Sequence, residues 1–259
     1  MNSSQGDARS FPLGSHIVSD SSDAYVIAEI GANHQGEREI ALEMIRAAAT
    51  AGADAVKFQK RDNKRLFTHA GYIAPYENEN SFGATYGEHR EALELSGDDY
   101  RAIKDEAARV GIDFFVTAFD IPSVDFLMEL GVPAFKIASF DLTNTPLLEY
   151  VAQTSLPTIV STGGGLQESV DQAVEIFATA GTPVSILQCT SGYPPSFSEL
   201  NLSVITTFRE RYPDITIGYS GHDSGIAMAT LAFALGARIV EKHFTLNRAM
   251  KGTDHAFSL

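Results

Sequence analysis

Two histidines stand at the ends of short apolar runs in the C-terminal part of the chain. His222 closes the run ITIGYSGH, and His243 closes ARIVEKH. Apolar runs of four or five residues that end in polar residues are typical of buried strands, and two neighbouring strands would aim both imidazoles at one place. That place could hold a metal ion, because imidazole is a common metal ligand. Each histidine could equally cap its strand by hydrogen bonding.

Two lysines stand near the ends of other apolar runs, Lys57 in AVKFQ and Lys136 in AFKIAS. A lysine on a buried strand is costly unless its charge is paired or hydrogen-bonded. Ser139, Ser161 and Ser220 also end apolar runs, so the two ammonium groups and these hydroxyls would form a receptor for phosphate and carboxylate groups. The alternative is that each lysine extends its ammonium group to solvent.

A glycine-rich segment follows one of the apolar runs and precedes a helical pattern. It reads STGGG at positions 161–165, where backbone amides could cradle an anion. It lacks the G-x-G-x-x-G spacing and the downstream acidic residue of a dinucleotide site, so the phosphate of a small substrate is the favoured ligand. Other polar residues at the ends of runs are Glu29, Asn33, His34, Gln59, Thr117, Asp120, Thr162, Thr190, Tyr193 and Glu241.

Eight apolar runs of strand length alternate with patterns of helical period. The runs cover positions 25–31, 55–59, 113–119, 134–139, 157–163, 184–190, 216–220 and 238–244. In the clearest helical pattern, EIALEMIRAAATAG, the apolar face contains Ile40, Met44, Ala47, Ala48 and Ala51. Strands and helices that alternate with short connections predict a parallel sheet, and eight such units favour a closed (β/α)8 barrel of the TIM type over an open doubly wound sheet.

Two stretches depart from this regular pattern. The connection from Lys60 to about Ser96 is longer than an ordinary loop and is rich in aromatic residues, which predicts a lid or side wall over the site. The chain stops at Leu259, soon after the eighth run, so we expect a barrel that lacks its last helix and exposes apolar surface to another domain or chain. Residues 1–22 are polar and predict a leader or cap, whereas residues 23–259 predict the barrel domain.

The composition excludes several classes of protein. With 259 residues, 44% of them hydrophobic, the chain has enough material for one large α/β domain. Its net charge of −14 disfavours nucleic acid and anionic membranes as partners. The single cysteine, Cys189, excludes an internal disulfide, and a small buried hydrophobe is its expected role. Because the sequence shows neither a secretory signal nor an apolar run of about 20 residues, we expect a cytoplasmic protein.

The segments that carry these residues resemble those of one enzyme family. They are IAEIGANHQG, AGADAVKFQ, DFFVTAFD, FKIASFDLTNTPLL, PTIVSTGG, LQCTSGYP, IGYSGHDSG and GARIVEKHFTLNRAMKGTDHAFSL. In this order, from about residue 25 onward, the chain resembles the sialic acid synthase family. The resemblance implies a TIM-barrel enzyme that condenses phosphoenolpyruvate with an N-acetylated amino sugar, N-acetylmannosamine or a relative, to give a nonulosonic acid and phosphate.

The resemblance also implies roles for individual residues. Glu29, Lys57 and Lys136 would be catalytic, with Glu29 nearest the reacting carbons. The residues around phosphoenolpyruvate would be Lys57, Thr117, Lys136, Ser139, Ser161, Tyr193 and Ser220. The amino sugar would contact Gln59, Asp254 and a lid aromatic, Tyr76 or Tyr72. His222 and His243 would bind a divalent metal, typically Mn2+, which leaves ligand positions for substrate.

Several positions depart from the family pattern. Gly221 stands where aspartate is frequent, which removes a carboxylate beside His222. Other differences fall at Ala118, at Thr253 and at Ser191 or Gly192. Members of the family usually carry an antifreeze-like domain after the barrel that reaches the partner subunit's site, so we expect a homodimer, and this chain does not include that domain.

Two alternative functions stay open at this point. The first is phosphoenolpyruvate condensation with another acceptor, of the legionaminic, pseudaminic or octulosonate type. The second is a barrel that has lost activity and serves as a binding or scaffold module. The presence of both lysines, both histidines and Glu29 argues against the second, because loss of function would be expected to erase at least one of them.

Overall fold

The apolar runs of the sequence form the strands of the barrel. The computed structural model describes residues 9–259. Eight parallel strands close into a barrel in chain order, which confirms the predicted fold. A two-stranded sheet, Ser10–Leu13 (β1) and His16–Ser19 (β2), precedes them. The barrel strands are Tyr25–Gly31 (β3), Ala55–Lys60 (β4), Asp113–Ala118 (β5), Phe135–Ile137 (β6), Thr158–Ser161 (β7), Val184–Cys189 (β8), Ile217–Gly221 (β9) and Ile239–His243 (β10).

Helices follow the strands at each step except the last. They are Arg38–Thr50 (α1), Asn63–Leu66 (α2), His69–Tyr72 (α3), Tyr86–Ala92 (α4), Gly97–Val110 (α5), Ile121–Leu130 (α6), Thr145–Ala152 (α7), Gln167–Ala180 (α8), Val204–Arg211 (α9) and Ala227–Ala234 (α10). Beyond β10 the described residues form turns and contain no helix, as the sequence predicted. Among the helices described, none is both long enough and apolar enough to cross a membrane.

The chain divides into two compact units. One comprises Ile27–Val132 and Lys242–Leu259, and the other comprises the residues up to Val26 together with Pro133–Glu241. In the first unit α1 packs against α5, and Met44, Ile45, Tyr100 and Ile103 are fully buried there. In the second unit α7 packs against α8.

The register of the parallel strands decides which side chains meet. The Cα partner of Glu29 on β3 is Lys57 on β4, and the partner of Gln59 on β4 is Thr117 on β5. Residues at matched positions on adjacent strands point to the same face of a sheet. The pairing therefore gathers polar side chains near the carboxyl ends of β3, β4 and β5.

The N-terminal residues that the structure describes form an antiparallel hairpin, β1 with β2. Phe11, Leu13 and Val18 of this hairpin are buried. Asp20, just after β2, binds Arg9 at 2.8 Å and Arg209 at the end of α9 at 2.8 Å. The hairpin is thus tied to the unit that contains α9. Residues 1–8 of the expected leader lie outside the described residues, and the division at residue 22 stays a prediction.

The long connection after β4 contains three short helices rather than an open loop. Thr85 and Glu88 form a capping box that starts α4, and Thr68 caps α3. The aromatic rings of this connection pack on one another, with Tyr76 and Tyr86 5.2 Å apart between ring centres. We call residues 61–96 the lid segment.

Candidate functional site

A buried ion pair lies near the carboxyl ends of β3 and β4. Lys57 Nζ is 2.6 Å from Glu29 Oε2 and donates a hydrogen bond of 2.7 Å to Thr117 Oγ1. Gln59 Nε2 donates to the other carboxylate oxygen of Glu29 at 2.6 Å. Glu29, Lys57 and Thr117 are each at least 98% buried. Removing one partner of such a pair leaves the other charge uncompensated and costs about 3–5 kcal/mol. We call Glu29, Lys57, Gln59 and Thr117 the Lys57 cluster.

Arg61 extends the Lys57 cluster toward the lid segment. Its Nη2 donates to Gln59 Oε1 at 2.6 Å, and its guanidinium lies 3.8 Å above the centre of the Phe119 ring. Burial and the positive charge of Arg90 lower the pKa of Arg61 to about 10. Arg61 is therefore cationic at neutral pH and fixes the amide of Gln59, with its NH2 group toward Glu29.

A second polar cluster, in the other unit, has side chains from β6, β7, β9 and β10. Lys136 Nζ donates to Ser161 Oγ at 2.6 Å and to the carbonyl of Ile137 at 2.9 Å. Glu241 Oε1 is 4.0 Å from Lys136 Nζ and accepts a hydrogen bond of 3.3 Å from Ser220 Oγ. Lys136 is only 2% exposed. We call Lys136, Ser161, Ser220 and Glu241 the Lys136 cluster.

Gly163 of the glycine-rich segment lies against Ser139. Its amide donates to Ser139 Oγ at 2.8 Å. A Cβ at this position would lie 2.9 Å from Ser139 Oγ, 3.2 Å from Cys189 Sγ and closer still to Ser191 Oγ, so a larger residue would displace these side chains. Cys189 is buried, as expected, and burial raises the pKa of its thiol despite hydrogen bonding to Ser139 and the nearby charge of Lys136.

His222 follows β9 and is held on two sides. Its Nδ1 lies 3.1 Å from the carbonyl of Thr190, and its ring packs against Tyr193 with ring centres 4.1 Å apart. Since a carbonyl can only accept, Nδ1 carries the hydrogen and Nε2 keeps its lone pair. Tyr193 is 58% exposed, so this predicted substrate contact lies at the surface of the unit.

The space beside Gly221 is filled by neighbours. A Cβ on Gly221 would overlap the Tyr219 ring and lie 2.6 Å from Asp223 Oδ1, and the Tyr219 hydroxyl donates to that oxygen at 2.6 Å. A carboxylate therefore lies beside position 221, but it belongs to Asp223. Burial of the ring, together with the hydrogen bond to the Asp223 carboxylate, raises the pKa of Tyr219.

His243 ends β10 with a carboxylate nearby. Its Nδ1 lies 3.8 Å from Asp254 Oδ2, and its ring meets Phe257 edge-on at 5.2 Å. Each histidine thus has an oxygen atom on the Nδ1 side of its ring, which leaves Nε2 as the nitrogen that could bind a metal. Within residues 9–259 no three histidine, cysteine or acidic side chains cluster as a metal site. Imidazole nitrogen is a donor that divalent transition metals accept, so each histidine taken by itself is suited to be a metal ligand.

A cavity of about 450 Å³ lies beside the glycine-rich segment. Thr162, Gln188, Cys189 and Ser191 are among its lining residues. Gln188 is 3% exposed; its Nε2 donates to the carbonyl of Leu200 at 2.7 Å, while its Oε1 has no hydrogen-bond partner in the described chain. The volume is in the range of small-molecule sites.

The comparisons with known proteins place the chain in a family. The NeuB family model matches residues 44–259. The chain belongs to the NeuB family. It is 43% identical to human N-acetylneuraminate-9-phosphate synthase over 91% of this chain and 66% of that protein, and 39% identical to N,N'-diacetyllegionaminic acid synthase of Legionella pneumophila over 91% of this chain and 67% of that protein.

A solved structure of the same family agrees with this assignment. The N-acetylneuraminic acid synthetase of Leptospira borgpetersenii, crystallised with citrate, superposes with a TM-score of 0.86 at 34% identity, covering 97% of this chain and 83% of that one. The chain spans slightly less than two thirds of the length of the human and mouse relatives, 66% in each case.

The structure of this NeuB family chain places the predicted site residues in separate groups. Lys57, Gln59, Glu29 and Thr117 meet in one cluster, and Lys136, Ser161 and Ser220 meet in another. Tyr76 packs against Tyr86 and against His89, whose ring centre is 4.6 Å away, so it belongs to the lid aromatics. Tyr72 donates instead to Glu91 at 3.1 Å.

Three neighbours of these groups are not predicted by the pattern of apolar runs. Arg61, Asp223 and Gln188 belong to the family's strand-end segments or follow them closely, but none closes an apolar run by itself. Their roles depend on partners distant in sequence or on side-chain direction. A charged residue two positions after a predicted strand-end residue, as Arg61 is after Gln59, is a pattern that could have drawn attention to it.

Proposed function

We propose that this chain condenses phosphoenolpyruvate with an N-acetylated amino sugar and releases phosphate, giving a sialic acid or a related nonulosonic acid. The observation that carries the proposal is the presence of two buried lysines at strand ends, each bonded to a hydroxyl and near a carboxylate. Burying an ammonium group costs free energy. A ligand that carries a dianionic phosphate ester and a carboxylate offsets this cost by binding to the buried ammonium groups. Membership of the NeuB family supports the same reaction.

The chain's own residues account for binding and charge. In the Lys136 cluster, Lys136 with the hydroxyls of Ser161, Ser139 and Ser220 would hold the anionic groups of phosphoenolpyruvate and offset charge on the departing phosphate. Tyr193 would cover the anion from the exposed side. In the Lys57 cluster, Lys57 and Thr117 would add contacts to the same substrate.

We assign to the Glu29 carboxylate one of two roles, stabilising positive charge or accepting a proton. The reaction forms a bond between C3 of phosphoenolpyruvate and the aldehyde carbon of the sugar, while positive character grows on C2. Water then adds to C2, and the C–O bond to phosphate breaks. The Glu29 carboxylate, held by Lys57 and Gln59, would stabilise the developing cation or accept the proton of the water.

We propose that His222 and His243 hold a divalent metal, Mn2+ by preference, and that Gln59, Asp254 and Tyr76 contact the amino sugar. When bound, the metal polarises the sugar aldehyde. The tautomer fixed at His222 by Thr190 and the carboxylate of Asp254 beside His243 support this assignment.

We also propose that the protein acts in the cytoplasm as a homodimer. The exposed apolar residues of α10 and its flanks support an assembled state, since Leu231 is 50% exposed and Ile226 66%. Sedimentation of the purified chain tests this, and a monomer at every concentration would contradict it.

Release of phosphate from phosphoenolpyruvate tests the proposed function directly. Purified protein with Mn2+ and a panel of N-acetylated aldoses is expected to release phosphate with at least one acceptor. His222→Ala is expected to abolish turnover and to remove Mn2+ binding in calorimetry, while the circular dichroism spectrum stays unchanged, because His222 lies at the end of β9. Thr207→Ala, on α9 away from the clusters, is the control. Undiminished activity of His222→Ala would remove the metal assignment.

A further inference from the structure

Arg61 follows β4 and joins the Lys57 cluster through a chain of hydrogen bonds. Its Nη2 donates to Gln59 Oε1 at 2.6 Å, and Gln59 Nε2 donates to Glu29 Oε1 at 2.6 Å. The side-chain amide of Gln59 is therefore held at both ends, by a cation at its oxygen and by a carboxylate at its nitrogen. All three residues belong to one compact unit.

The position of Arg61 is itself fixed by its neighbours. Its guanidinium lies 3.8 Å above the centre of the Phe119 ring. Its backbone amide donates to Glu94 Oε1 at 3.4 Å, and its carbonyl accepts from Lys60 Nζ at 3.2 Å. Glu94 also pairs with Lys60 at 2.5 Å. This carboxylate thus binds the main chain of Arg61 and the side chain of Lys60, and within residues 9–259 the guanidinium donates its hydrogen bond to Gln59.

The partners of the Gln59 amide decide which way it points. The oxygen and the NH2 group of a glutamine have nearly the same shape, so the hydrogen bonds select the orientation. A half-turn of this amide would place its oxygen against the Glu29 carboxylate and its NH2 group against the Arg61 guanidinium. Both contacts would be repulsive. Arg61 and Glu29 therefore select the same orientation, and loss of Arg61 removes one of the two constraints.

The main chain of Gln59 is held independently of Arg61. The hydroxyl of Tyr100 donates to the backbone carbonyl of Gln59, and Gln59 is paired in register with Thr117 on β5. The constraint that Arg61 supplies consequently acts on the side-chain amide rather than on the strand.

The NH2 group of Gln59 faces a point that is shared with a predicted metal ligand. A Cβ on Gly31 would lie 3.3 Å from Glu29 Oε1 and 3.4 Å from both Gln59 Nε2 and His243 Cε1. These three atoms therefore surround one point in the same unit. An NH2 group has two hydrogens. One is used on Glu29, and the second can be donated to an oxygen of the acceptor sugar.

We propose that Arg61 is a positioning residue for the condensation. It holds the Gln59 amide so that one N–H fixes the Glu29 carboxylate and the other meets the acceptor sugar. The inference rests on the proposed function and adds to it a residue that acts through Gln59. The guanidinium suits this task because it stays charged at neutral pH and because stacking on Phe119 fixes its plane.

Steady-state phosphate release tests this role, with Mn2+ and the N-acetylated aldose that wild type uses best. Arg61→Met keeps most of the length of the side chain but removes the donor. It is expected to lower kcat/KM for the sugar about 10-fold and to leave KM for phosphoenolpyruvate within about 2-fold, because the lost hydrogen bond involves a charged group. Arg61→Lys, which retains a cationic donor, is expected to recover part of the loss.

The control makes the same chemical change at an exposed arginine of α2. The side chain of Arg65 is 72% exposed, and Arg65→Met is expected to leave both constants unchanged. Wild-type kcat/KM in Arg61→Met would overturn the proposal.

A double variant separates positioning from general support of the fold. If Arg61 acts through Gln59, adding Arg61→Met to Gln59→Met is expected to lower kcat/KM by no more than about 2-fold. A merely structural contribution would instead lower it again by about the factor seen in the single Arg61→Met variant. That second result would contradict the proposal.

The side-chain amide signals of Gln59 report its orientation without reference to activity. In a proton–nitrogen correlation spectrum they are identified by their loss in Gln59→Met. Arg61→Met is expected to shift these signals and to speed their exchange with water, whereas Arg65→Met leaves them in place. Unmoved signals in Arg61→Met would overturn the proposal. If wild type releases no phosphate with any acceptor, the proposed function fails, and these signals still decide whether Arg61 orients Gln59.

Discussion

At the scale of single residues, the two clusters show how buried charge is made tolerable. Lys57 is bonded to Glu29 and Thr117, and Lys136 to Ser161 and a carbonyl, so neither ammonium group reaches solvent for its stabilisation. The alternative that these lysines extend to solvent is wrong, since each is 2% exposed. Fixed donors of this kind need little reorganisation when an anion binds, which is the property that makes them useful in catalysis.

The glycine at position 163 makes a residue-scale prediction. Gly163→Ala is expected to push Ser139 and Ser191 aside and to raise KM for phosphoenolpyruvate about 10-fold, because one hydrogen bond to a charged group is disturbed. Gly164→Ala is the control. Its added Cβ has no atom within 4 Å, but an alanine at a φ of 72° is expected to lower stability by about 1 kcal/mol and to leave KM unchanged. Steady-state kinetics and thermal unfolding separate the two effects. An unchanged KM in Gly163→Ala would contradict the assigned role of the segment.

At the scale of elements, the strands could be predicted because each is an apolar run bounded by polar residues. The prediction of the buried face of α1 was less accurate than that of the strands. Met44 and Ala48 are buried as expected, and Ala41 and Ile45 are buried as well. Ala51 lies beyond the end of the helix and is exposed. Alanine fits either side of a helix, so a stripe rich in alanine does not fix its rotation. The short lid helices were missed because their caps and aromatic contacts, not periodicity, define them.

The hairpin at the start of the described chain gives a prediction at this scale. Burial would raise the pKa of Asp20, but hydrogen bonds from Arg209 and Arg9 outweigh it and lower the pKa. Asp20→Asn keeps the shape and removes the charge, so it is expected to lower the free energy of unfolding by about 1 kcal/mol and to speed hydrogen exchange in β1 and β2. Asp98→Asn, which weakens an exposed pair with Arg101, is the control. Unaltered exchange in the hairpin would show that Asp20 does not hold it.

At the scale of the whole molecule, the sequence predicted the barrel but not how its charges are distributed. The net charge of −14 did not indicate that Arg61 bonds to the neutral amide of Gln59 or that Arg90 bonds to the Tyr86 hydroxyl. Overall charge averages over the surface, whereas recognition depends on local pairing, which requires coordinates. Cavities and contacts between side chains that are distant in sequence could not be predicted either, because they also depend on coordinates.

The pH dependence of unfolding is a prediction for the molecule as a whole. Burial lowers the pKa of His34 from 6.5 to about 4, and its Nδ1 accepts from the amide of Gly36 at 3.0 Å. Between these values the unfolded chain binds more protons than the folded one, so stability is complete above pH 6.5 and falls as the pH drops toward 4. At pH 5 the loss from His34 is about 2 kcal/mol, and His89 adds a loss of the same sign.

Urea unfolding at pH 7.5 and pH 5 measures this loss, in a range where carboxylates are still largely ionised. His34→Gln can accept the same amide hydrogen bond through its side-chain oxygen but cannot titrate, so the difference between the two pH values is expected to shrink by about 2 kcal/mol relative to wild type. His69→Gln, at an exposed position of the lid segment, is expected to leave the difference unchanged. If His34→Gln retains the full wild-type difference, His34 is not the neutral buried group described here, and the pH dependence must arise from His89 and the carboxylates instead.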